Sequence, residues 1–478
     1  MKTNKLTIIC CTALSLFLSA CSDWFDISPK TDVKAEDLFE TETGFQSALA
    51  GIYIAMTNQN SYGANYTFGQ LDKMVQYYDR TPGGQQVDPS VIFQYDEENQ
   101  TYNSKQVLAN MWSSSYNLIA NANNLLSWLD KNGERVIRSE EERDMIRGEA
   151  LALRGFLHFD LLRLWGPFYR SDSTALSIPY RLVADASRQP LLPANQIVSN
   201  ILADLSTARE LLNFEKGTSL ADSDRRFRLN YYAITALMAR VCNYRNDKAS
   251  ALAYAEEVIN DCGLGLMDNC RTSPALFGET IFAINIYEMS DTYSSLWAVG
   301  PTFNTQLSLT QTKLAQIFET SGVGSNDMRA RRNEGFLTYD DTNEAISRKY
   351  ITNEDQELPL IRLSEMYYIM CECSPLNTAA DYINEVRQKR GISRSYNYSF
   401  INEQERLEAL NLEYRKDFYA EGQYFHFLKL HEMSTYLNCP IASGMTARQY
   451  VFPLPDAEKE YGWTDSMSDT NNGDASEQ

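Results

Sequence analysis

Long apolar runs are almost absent from the sequence. Residues 6–18 form one run of 13 mostly apolar residues, which is too short to cross about 30 Å of hydrocarbon as a helix. No other segment approaches the roughly 18 consecutive apolar residues of a membrane-spanning helix. The sequence therefore predicts no transmembrane helix after residue 18.

Histidine is scarce, and the motifs of common enzymes are missing. The three histidines are His158, His426 and His431, and none stands in an H-E-x-x-H motif. The sequence has no G-x-S-x-G elbow and no phosphate-cradling glycine loop. Among 63 acidic residues, chance pairs of carboxylates carry no weight as evidence for a glycoside hydrolase. We therefore expect a protein that is not an enzyme and that holds no cofactor.

Basic residues are outnumbered by acidic ones. Lysine and arginine total 43 against 63 acidic residues, a net charge of −20, which becomes −22 once Lys2 and Lys5 leave with an export signal. Such a chain repels nucleic acid and anionic membrane surfaces. We expect no nucleic-acid partner and no basic patch that binds lipid.

Cysteine is also sparse, with nine in 478 residues. Cys10 and Cys11 lie in the predicted signal, which leaves six in the exported domain besides Cys21. Cys262 and Cys270 are the best-placed local pair for a disulfide in an oxidising compartment. A chain of this length needs no such cross-link, so we expect free, buried cysteines.

The start of the chain, by contrast, has the three parts of an export signal. Lys2 and Lys5 precede the apolar run, and small residues then lead to Cys21. The ending at residues 18–21 (LSAC) resembles the bacterial lipobox, in which the cysteine is acylated and becomes the first residue of the mature protein. We expect a cleaved signal over 1–20 and a covalent lipid on Cys21, the alternative being an ordinary signal with an incidental cysteine.

Amphipathic helix is the strongest pattern in the rest of the chain. Residues 142–165 place apolar side chains at spacings of three and four until a Gly-Pro pair ends the run. Residues 195–212 repeat the pattern with Asn195 as a predicted N-cap, and residues 403–420 predict a further helix. The chain is therefore predicted to be mainly α-helical.

The pattern in two segments predicts a helix, a break and a second helix. Residues 230–259 break at Asn246-Asp247, and residues 359–391 break at Pro375. Small residues mark the predicted contact faces of the first pair: Ala233, Ala236, Ala239, Ala249, Ala251 and Ala255. In the second segment the predicted inward residues are Leu360, Leu363, Met366, Tyr367 and Met370. Such units are typical of tetratricopeptide-like arrays, although the strict 34-residue spacing is not kept.

The segments between the helices differ in composition. Residues 61–103 are rich in tyrosine, glycine and amides, and residues 278–351 mix a β-like run with polar aromatics. We interpret both as binding insertions on a helical frame, because binding residues concentrate in such loops. The predicted organisation is a lipidated tether over 21–33, one domain over 34–463 and a disordered tail over 464–478.

Six segments, in order along the chain, resemble the SusD/RagB lipoproteins of Bacteroidetes. The first is the lipobox followed by Pro29. The others are residues 152–167 (ALRGFLHFDLLRLWGP), 236–244 (ALMARVCNY), 358–367 (LPLIRLSEMY), 383–391 (INEVRQKRG) and 452–455 (FPLP). One departure stands out: the family commonly has Glu-Gly-Gln-Arg with an Asp three residues later. Here Tyr424 takes the Arg position and Phe427 the Asp position.

The resemblance implies a tetratricopeptide-like helical protein packed against an irregular half. It also implies attachment by lipid to the cell outer membrane, facing the exterior, and partnership with a SusC-like TonB-dependent transporter. Members of the family capture oligosaccharides, and some capture peptides, before uptake. The departure at Tyr424 and Phe427 puts into doubt any ligand carried over from a particular member.

Sugar rings are bound by flat aromatic faces together with amide, carboxylate and guanidinium groups. The insertions hold two clusters of such residues. The predicted ligand-binding residues are Tyr62, Tyr66, Asp72, Tyr77, Tyr78, Arg80, Asn285, Tyr287, Tyr293 and Trp297. The alternative for each aromatic residue is that it packs the insertion onto the helices.

Two groups of charged residues on predicted helices are interpreted as structural. Arg154, His158 and Arg163 are placed on the polar side of a helix, where they satisfy helix contacts. Arg387, Lys389 and Arg390 precede Gly391, which indicates charges at a helix C-terminus beside a terminating glycine.

The function predicted from these observations is capture of a glycan at the cell surface and its transfer to the transporter. Three alternatives stay open at this point. The same architecture can bind peptides, the helical pairs can serve as a scaffold for a protein partner, and paired carboxylates can hydrolyse glycosides.

Overall fold

Helices make up most of the protein. The computed structural model describes residues 35–79, 91–95, 103–221, 223–289, 293, 296, 307–351 and 356–461. Its α-helices are α1 (Ala35–Leu38), α2 (Glu42–Met56), α3 (Gln70–Met74), α4 (Ser104–Trp128), α5 (Glu134–Val136), α6 (Glu140–Trp165), α7 (Ala194–Leu211), α8 (Tyr231–Tyr244), α9 (Lys248–Asp261), α10 (Gln311–Phe318), α11 (Leu363–Cys373), α12 (Leu376–Lys389), α13 (Glu403–Asp417), α14 (Gln423–Leu430), α15 (Ala447–Tyr450) and α16 (Asp456–Tyr461).

Local signals set the ends of the long helices. The Ser139 hydroxyl caps α6 by accepting from the Glu142 backbone N–H at 3.2 Å, and three glutamates in the first turn complement the helix dipole. Asn230 caps α8 at 2.9 Å, and Asp247 caps α9 at 3.2 Å. These short-range contacts explain why the helix positions could be predicted from the sequence.

The helices pack as successive pairs. Helix α2 contacts α4, α4 contacts α6 and α6 contacts α7; the chain of contacts then continues through α8, α9, α11, α12 and α13. We call these helices the frame. Their arrangement confirms the predicted mainly α, tetratricopeptide-like fold class with short β insertions.

Four details of the helix predictions were wrong. The part of helix α6 from Ala152 to Trp165 has no polar side, since it is buried all round, Arg154, His158 and Arg163 included. Helix α7 begins at Ala194, one residue before the predicted cap Asn195. Ala249 is exposed rather than part of a contact face. Residues 359–362 form a strand because their backbone pairs with residues 280–283, and the helix begins only at Leu363.

The strands are short and join segments distant in sequence. β1 (Thr280–Asn285) pairs antiparallel with β5 (Glu357–Arg362), and β2 (Leu309–Thr310), β4 (Glu344–Ser347) and β3 (Phe336–Tyr339) form a second antiparallel sheet in that order. The predicted β-like run is thus a real strand. Both sheets lie in or at the edge of the second predicted insertion.

One hydrophobic core runs through the described residues from Phe39 to Phe452. Cys262 belongs to it, whereas Cys270 lies in a small separate cluster with Leu276 and Met328. All six cysteines of the described residues are free, and five of them are buried. No helix within the described ranges is both long and apolar enough to cross a membrane.

Several predictions fall outside the described residues. These are the signal over 1–20, the tether over 21–33 with its lipidated Cys21, the tail over 464–478, and the ligand residues Arg80 and Trp297. They remain predictions, as do the domain boundaries.

Candidate functional site

The two predicted insertions pack against each other. The Asp79 backbone N–H donates to the Ser308 carbonyl at 2.8 Å, and Lys313 Nζ lies 2.6 Å from Asp79 Oδ1. The Tyr293 hydroxyl donates to the Gly63 carbonyl at 2.5 Å. We call residues 61–79, 286–289, 293, 296 and 307–351 the insertion layer. It brings together segments more than 200 residues apart in the sequence.

Aromatic rings fill the interior of this layer. The Phe68 ring lies 5.1 Å from Tyr293 in an edge-to-face arrangement and 5.5 Å from Tyr350. Tyr77 lies 4.7 Å from Tyr419, which follows α13. Burial raises the pKa of Tyr77 well above its ordinary value of 10, so its hydroxyl stays neutral and serves as a hydrogen-bond donor.

Most of the predicted ligand residues lie inside the protein. Each of five tyrosines is at most 8% exposed: Tyr62, Tyr66, Tyr77, Tyr78 and Tyr293. Their hydroxyls contact, in that order, Asp160, Ser115, the Arg415 carbonyl, the Phe68 carbonyl and the Gly63 carbonyl. Asp72 is fully buried as well. Their burial favours the alternative stated above, that these residues pack the insertions, and their role in binding stays untested.

Two predicted ligand residues are exposed and lie close together in the chain. Tyr287 has 76% of its surface exposed, although the neighbouring Ile286 is buried. Asn285 ends β1 and is also exposed. A ring open to solvent beside an amide is the combination that stacks on a sugar and binds its hydroxyls. Of the eight predicted ligand residues that the structure describes, these two are the exposed ones.

A groove of about 880 Å³ opens beside Asn285. It lies between α2, the first turns of α6 and the 3₁₀ turn Asp224–Phe227. Arg225 and Arg228 line it, and both guanidinium groups pair with the buried Glu149 carboxylate, at 2.6 Å and 2.8 Å. Sequence reasoning missed this groove because its residues belong to helices and carry no aromatic cluster.

The turn between α13 and α14 is where both insertions meet the frame. The Asp72 carboxylate accepts from the Gly422 backbone N–H at 3.0 Å, and the Tyr350 hydroxyl donates to the Ala420 carbonyl at 2.8 Å. Glu421 pairs with Lys349 at 2.5 Å. The Glu-Gly-Gln stretch singled out in the sequence is therefore an attachment point for the insertion layer.

The departure at Tyr424 and Phe427 replaces an ion pair by two rings. The rings lie one helical turn apart in α14, with centroids separated by 6.4 Å and planes inclined by 15°. Tyr424 also donates to Asn411 Oδ1 at 2.9 Å. The substitution keeps the two side chains in register, so it leaves the helix intact.

The polar residues of α6 have the structural role predicted for them. Arg154 binds Asp204 through two hydrogen bonds, of 2.7 Å and 2.6 Å, and the Arg181 backbone N–H donates to His158 Nε2 at 3.0 Å. Burial lowers the pKa of His158 to about 3, against a weaker opposing effect of the Arg154 carbonyl. This histidine is therefore neutral at ordinary pH and fixes the backbone at residue 181.

The basic residues before Gly391 were only partly predicted. Gly391 does end α12 in a left-handed conformation with φ of +88°. Arg387 and Arg390, however, are buried rather than exposed, since both are drawn into ion pairs with distant carboxylates. Arg390 reaches Glu279 at 2.6 Å and Asp417 at 2.9 Å. The predicted position of these charges at the helix C-terminus is therefore correct, and the ion pairs with Glu279 and Asp417 are an additional finding of the structure.

No group of three or more histidine, cysteine or acidic side chains with the geometry of a metal site occurs in the described ranges. The carboxylates of the charged core that contains Arg390 are each matched by arginine or lysine. Among the predicted ligand residues that the structure describes, Tyr287 offers an exposed ring and Asn285 an exposed amide that also lines the groove.

Two family patterns match most of this chain. A family described as "Starch-binding associating with outer membrane" matches residues 23–242, and the "SusD family" matches residues 285–429. A SusD-like protein of Formosa agariphila is 22% identical over 281 residues, covering 56% of this chain and 48% of that protein. A SusD-like protein of Bacteroides ovatus is 23% identical over 281 residues, covering 56% and 46%. The chain thus spans about half the length of the curated relatives it matches.

Solved structures share the fold over nearly the whole chain. A SusD-like carbohydrate binding protein from Bacteroides vulgatus superposes with a TM-score of 0.68 at 16% identity, covering 88% of this chain and 96% of that one. A SusD superfamily protein from Bacteroides thetaiotaomicron gives a TM-score of 0.67 at 20% identity, covering 88% and 98%. At these identities the likeness concerns the fold. Taken with the two family matches, it shows that the chain belongs to the SusD/RagB family.

Proposed function

We propose that this protein captures an oligosaccharide at the outer face of the outer membrane, held there by lipid on Cys21, and passes it to a SusC-like TonB-dependent transporter. The observation that carries the binding role is the exposed Tyr287 ring beside the Asn285 amide, in a layer whose other described tyrosines are mostly buried. The matched family description names starch binding and the outer membrane, and one structural relative is named as a carbohydrate-binding protein.

Exposure of the Tyr287 ring lowers the stability of the folded protein. A tyrosine ring left 76% exposed forgoes most of the stabilisation that burial gives the other tyrosines of the layer. Such a ring contributes instead when a second apolar surface covers it, and the C–H face of a sugar is such a surface. The acidic chain repels polyanionic ligands, so a neutral glycan fits its charge better than an acidic one.

The direct test is a glycan array followed by calorimetric titration of the purified protein. We expect saturable binding of at least one neutral oligosaccharide without cleavage. Tyr287→Ala should weaken the affinity by about tenfold, which is the loss of roughly 1.4 kcal/mol from one stacked ring. Trp297→Ala tests the predicted second ring in the same way.

A matched control is available in Tyr396, which is 46% exposed in the 3₁₀ turn Arg394–Tyr396 that follows α12. Tyr396→Ala should leave the affinity unchanged. If the protein bound peptides and no glycan, the ligand would be a peptide rather than an oligosaccharide. Release of shorter sugars from a glycan would favour the hydrolase alternative. Isolation from outer membranes without a bound barrel transporter would contradict the transfer step.

A further inference from the structure

The segment that ends α13 and leads into α14 holds both insertions. From the first insertion, the Tyr77 hydroxyl donates to the Arg415 carbonyl at 2.6 Å, and Asp72 accepts from the Gly422 N–H at 3.0 Å. We call residues 415–422 the seat. The Asp72 and Tyr77 contacts span 350 and 338 residues of sequence, so they are purely tertiary.

The second insertion attaches to the same few residues. The Tyr350 hydroxyl donates to the Ala420 carbonyl at 2.8 Å. Lys349 Nζ donates to Glu421 Oε1 at 2.5 Å and to the Asp417 carbonyl at 3.3 Å. The two insertions are therefore positioned relative to each other by a common backbone as well as by their own contacts.

The backbone of the seat has two residues with positive φ angles. Ala420 and Gly422 have φ angles of +63° and +74°, in the left-handed region that disfavours residues with a Cβ. A Cβ on Gly422 would lie 2.4 Å from the Tyr66 carbonyl oxygen and 3.0 Å from Thr67 Cα. Glycine at 422 thus lets the seat approach the backbone of the first insertion closely.

Two arginines outside both insertions also bind the seat. Arg362, at the end of β5, donates to Glu421 Oε2 at 2.8 Å and to the Asp417 carbonyl at 2.7 Å. Arg390 of the frame pairs with Asp417 at 2.9 Å. Since these side chains are at most 3% exposed, water does not compete for the contacts.

We infer that the seat positions the ligand-binding surface, with Gly422 as a positioning residue whose close contact with residues 66–67 and Asp72 holds the insertion layer in its binding arrangement. The inference rests on the proposed function for the identity of that surface. Gly422 touches no ligand; it acts through the two insertions that its backbone joins.

The test compares Gly422→Ala with Gly217→Ala in the full-length protein. Gly217 has a φ of +85°, but a Cβ there would meet nothing within 4 Å, so this control carries the left-handed strain without a close contact to an insertion. Amide hydrogen exchange in residues 61–79 and 336–351 should be about tenfold faster in Gly422→Ala, because the added Cβ would lie 2.4 Å from the Tyr66 carbonyl oxygen; a tenfold change corresponds to about 1.4 kcal/mol. Exchange in α6–α9 should stay as in the wild type.

Glycan affinity gives the second measurement on the same variants. Gly422→Ala should weaken glycan binding by about tenfold or more. Gly217→Ala should bind the glycan with the affinity of the wild type. The inference is overturned if the exchange rates of the insertion layer in Gly422→Ala match those in Gly217→Ala. If the wild type binds no glycan, the proposed function fails, and the exchange comparison still decides the role of the seat.

Gentler variants cover the case in which Gly422→Ala does not fold. Tyr77→Phe combined with Tyr350→Phe deletes two hydroxyl donors to the seat and no ring. Tyr450→Phe is the matched control, because the buried Tyr450 hydroxyl donates to the Met433 carbonyl at 2.8 Å, away from both insertions. We expect faster exchange over residues 61–79 and 336–351 in the double variant alone. Equal exchange in these variants would also overturn the inference.

Discussion

The frame and the insertion layer are stabilised at different ranges of sequence. In the frame, the cap of α6 joins Ser139 to Glu142, three residues away, and aliphatic side chains such as Leu205 are fully buried between neighbouring helices. In the layer, Tyr77 finds the partner of its hydroxyl 338 residues away. Local signals therefore set the helix ends of the frame, whereas the layer is held by contacts with distant segments.

Between the two regions lies a buried charged core that belongs to both. It consists of Glu279, Arg329, Arg362, Arg390, Glu413 and Asp417, each with a side chain at most 5% exposed. Burial opposes ionisation of Glu413, but Lys416, Arg329 and Arg387 lower its pKa to about 2. The Glu413 carboxylate therefore stays charged and paired down to strongly acidic pH.

The largest expected effect comes from removing one cation of this core. Arg390→Met should lower the free energy of unfolding by about 3–5 kcal/mol, because Glu279 and Asp417 are then buried without a full set of partners. Denaturant unfolding measures the loss. Since Asp417 also pairs with Arg329 of the insertion layer, the whole protein should unfold at lower denaturant concentration in a single transition.

The control for Arg390 is an exposed ion pair. Arg135 and Glu40 lie 2.6 Å apart with side chains 62% and 56% exposed, so Arg135→Met should cost less than about 1 kcal/mol. If Arg390→Met is no more destabilising than Arg135→Met, the charged core does not join the two regions energetically.

The contrast between frame and layer also explains what the sequence could predict. Helix α6 was located because its apolar spacing and its end at Gly166-Pro167 are both local signals. Arg390 was placed correctly at a helix end, but its burial could not be predicted, because its partner Glu279 lies 111 residues away. No local pattern reports such a partner.

The candidate site was limited by the same difficulty. Tyr77 and Tyr287 look alike in the sequence, since both lie in predicted insertions that are rich in aromatic residues, yet the first is 1% exposed and the second 76%. Only the long-range contact with Arg415 distinguishes them. The family resemblance did mark Gly422, but as part of a motif without a stated physical role.

An intermediate effect is expected from Asp72, which carries a buried carboxyl in the layer. Burial raises the pKa of Asp72 well above its ordinary value of 3.8, with the Gly422 N–H and Lys349 opposing and Glu421 adding to the shift. A raised pKa means that its contribution to stability is complete at pH below 3.8 and is lost as the pH rises through the folded value. The layer of the wild type should therefore loosen as the pH rises.

Asp72→Asn tests this pH dependence. The amide keeps an oxygen for the Gly422 N–H but cannot ionise, so the variant should be more stable than the wild type by about 1 kcal/mol at neutral pH. Amide exchange of residues 61–79 across a pH series, corrected for intrinsic exchange, provides the measurement. The tyrosines around Asp72 have raised pKa values and stay neutral over this range. A wild-type profile parallel to that of the variant would show that Asp72 does not titrate there.

The smallest effect is expected from reducing agents. A disulfide between Cys262 and Cys270 would tie the frame core to the small cluster of Leu276 and Met328, and closing so short a loop would contribute about 3 kcal/mol. The structure has both thiols free and buried. Burial also raises the pKa of Cys270 to about 12, so almost no thiolate is present to be oxidised at neutral pH.

Dithiothreitol should therefore change the free energy of unfolding by less than about 0.5 kcal/mol. Mass spectrometry after alkylation of the unfolded protein should find both thiols modified. A fall of several times about 0.5 kcal/mol in the free energy of unfolding on reduction would contradict this expectation. It would mean that a disulfide between Cys262 and Cys270, in addition to the charged core and the seat, connects the end of the frame to the layer.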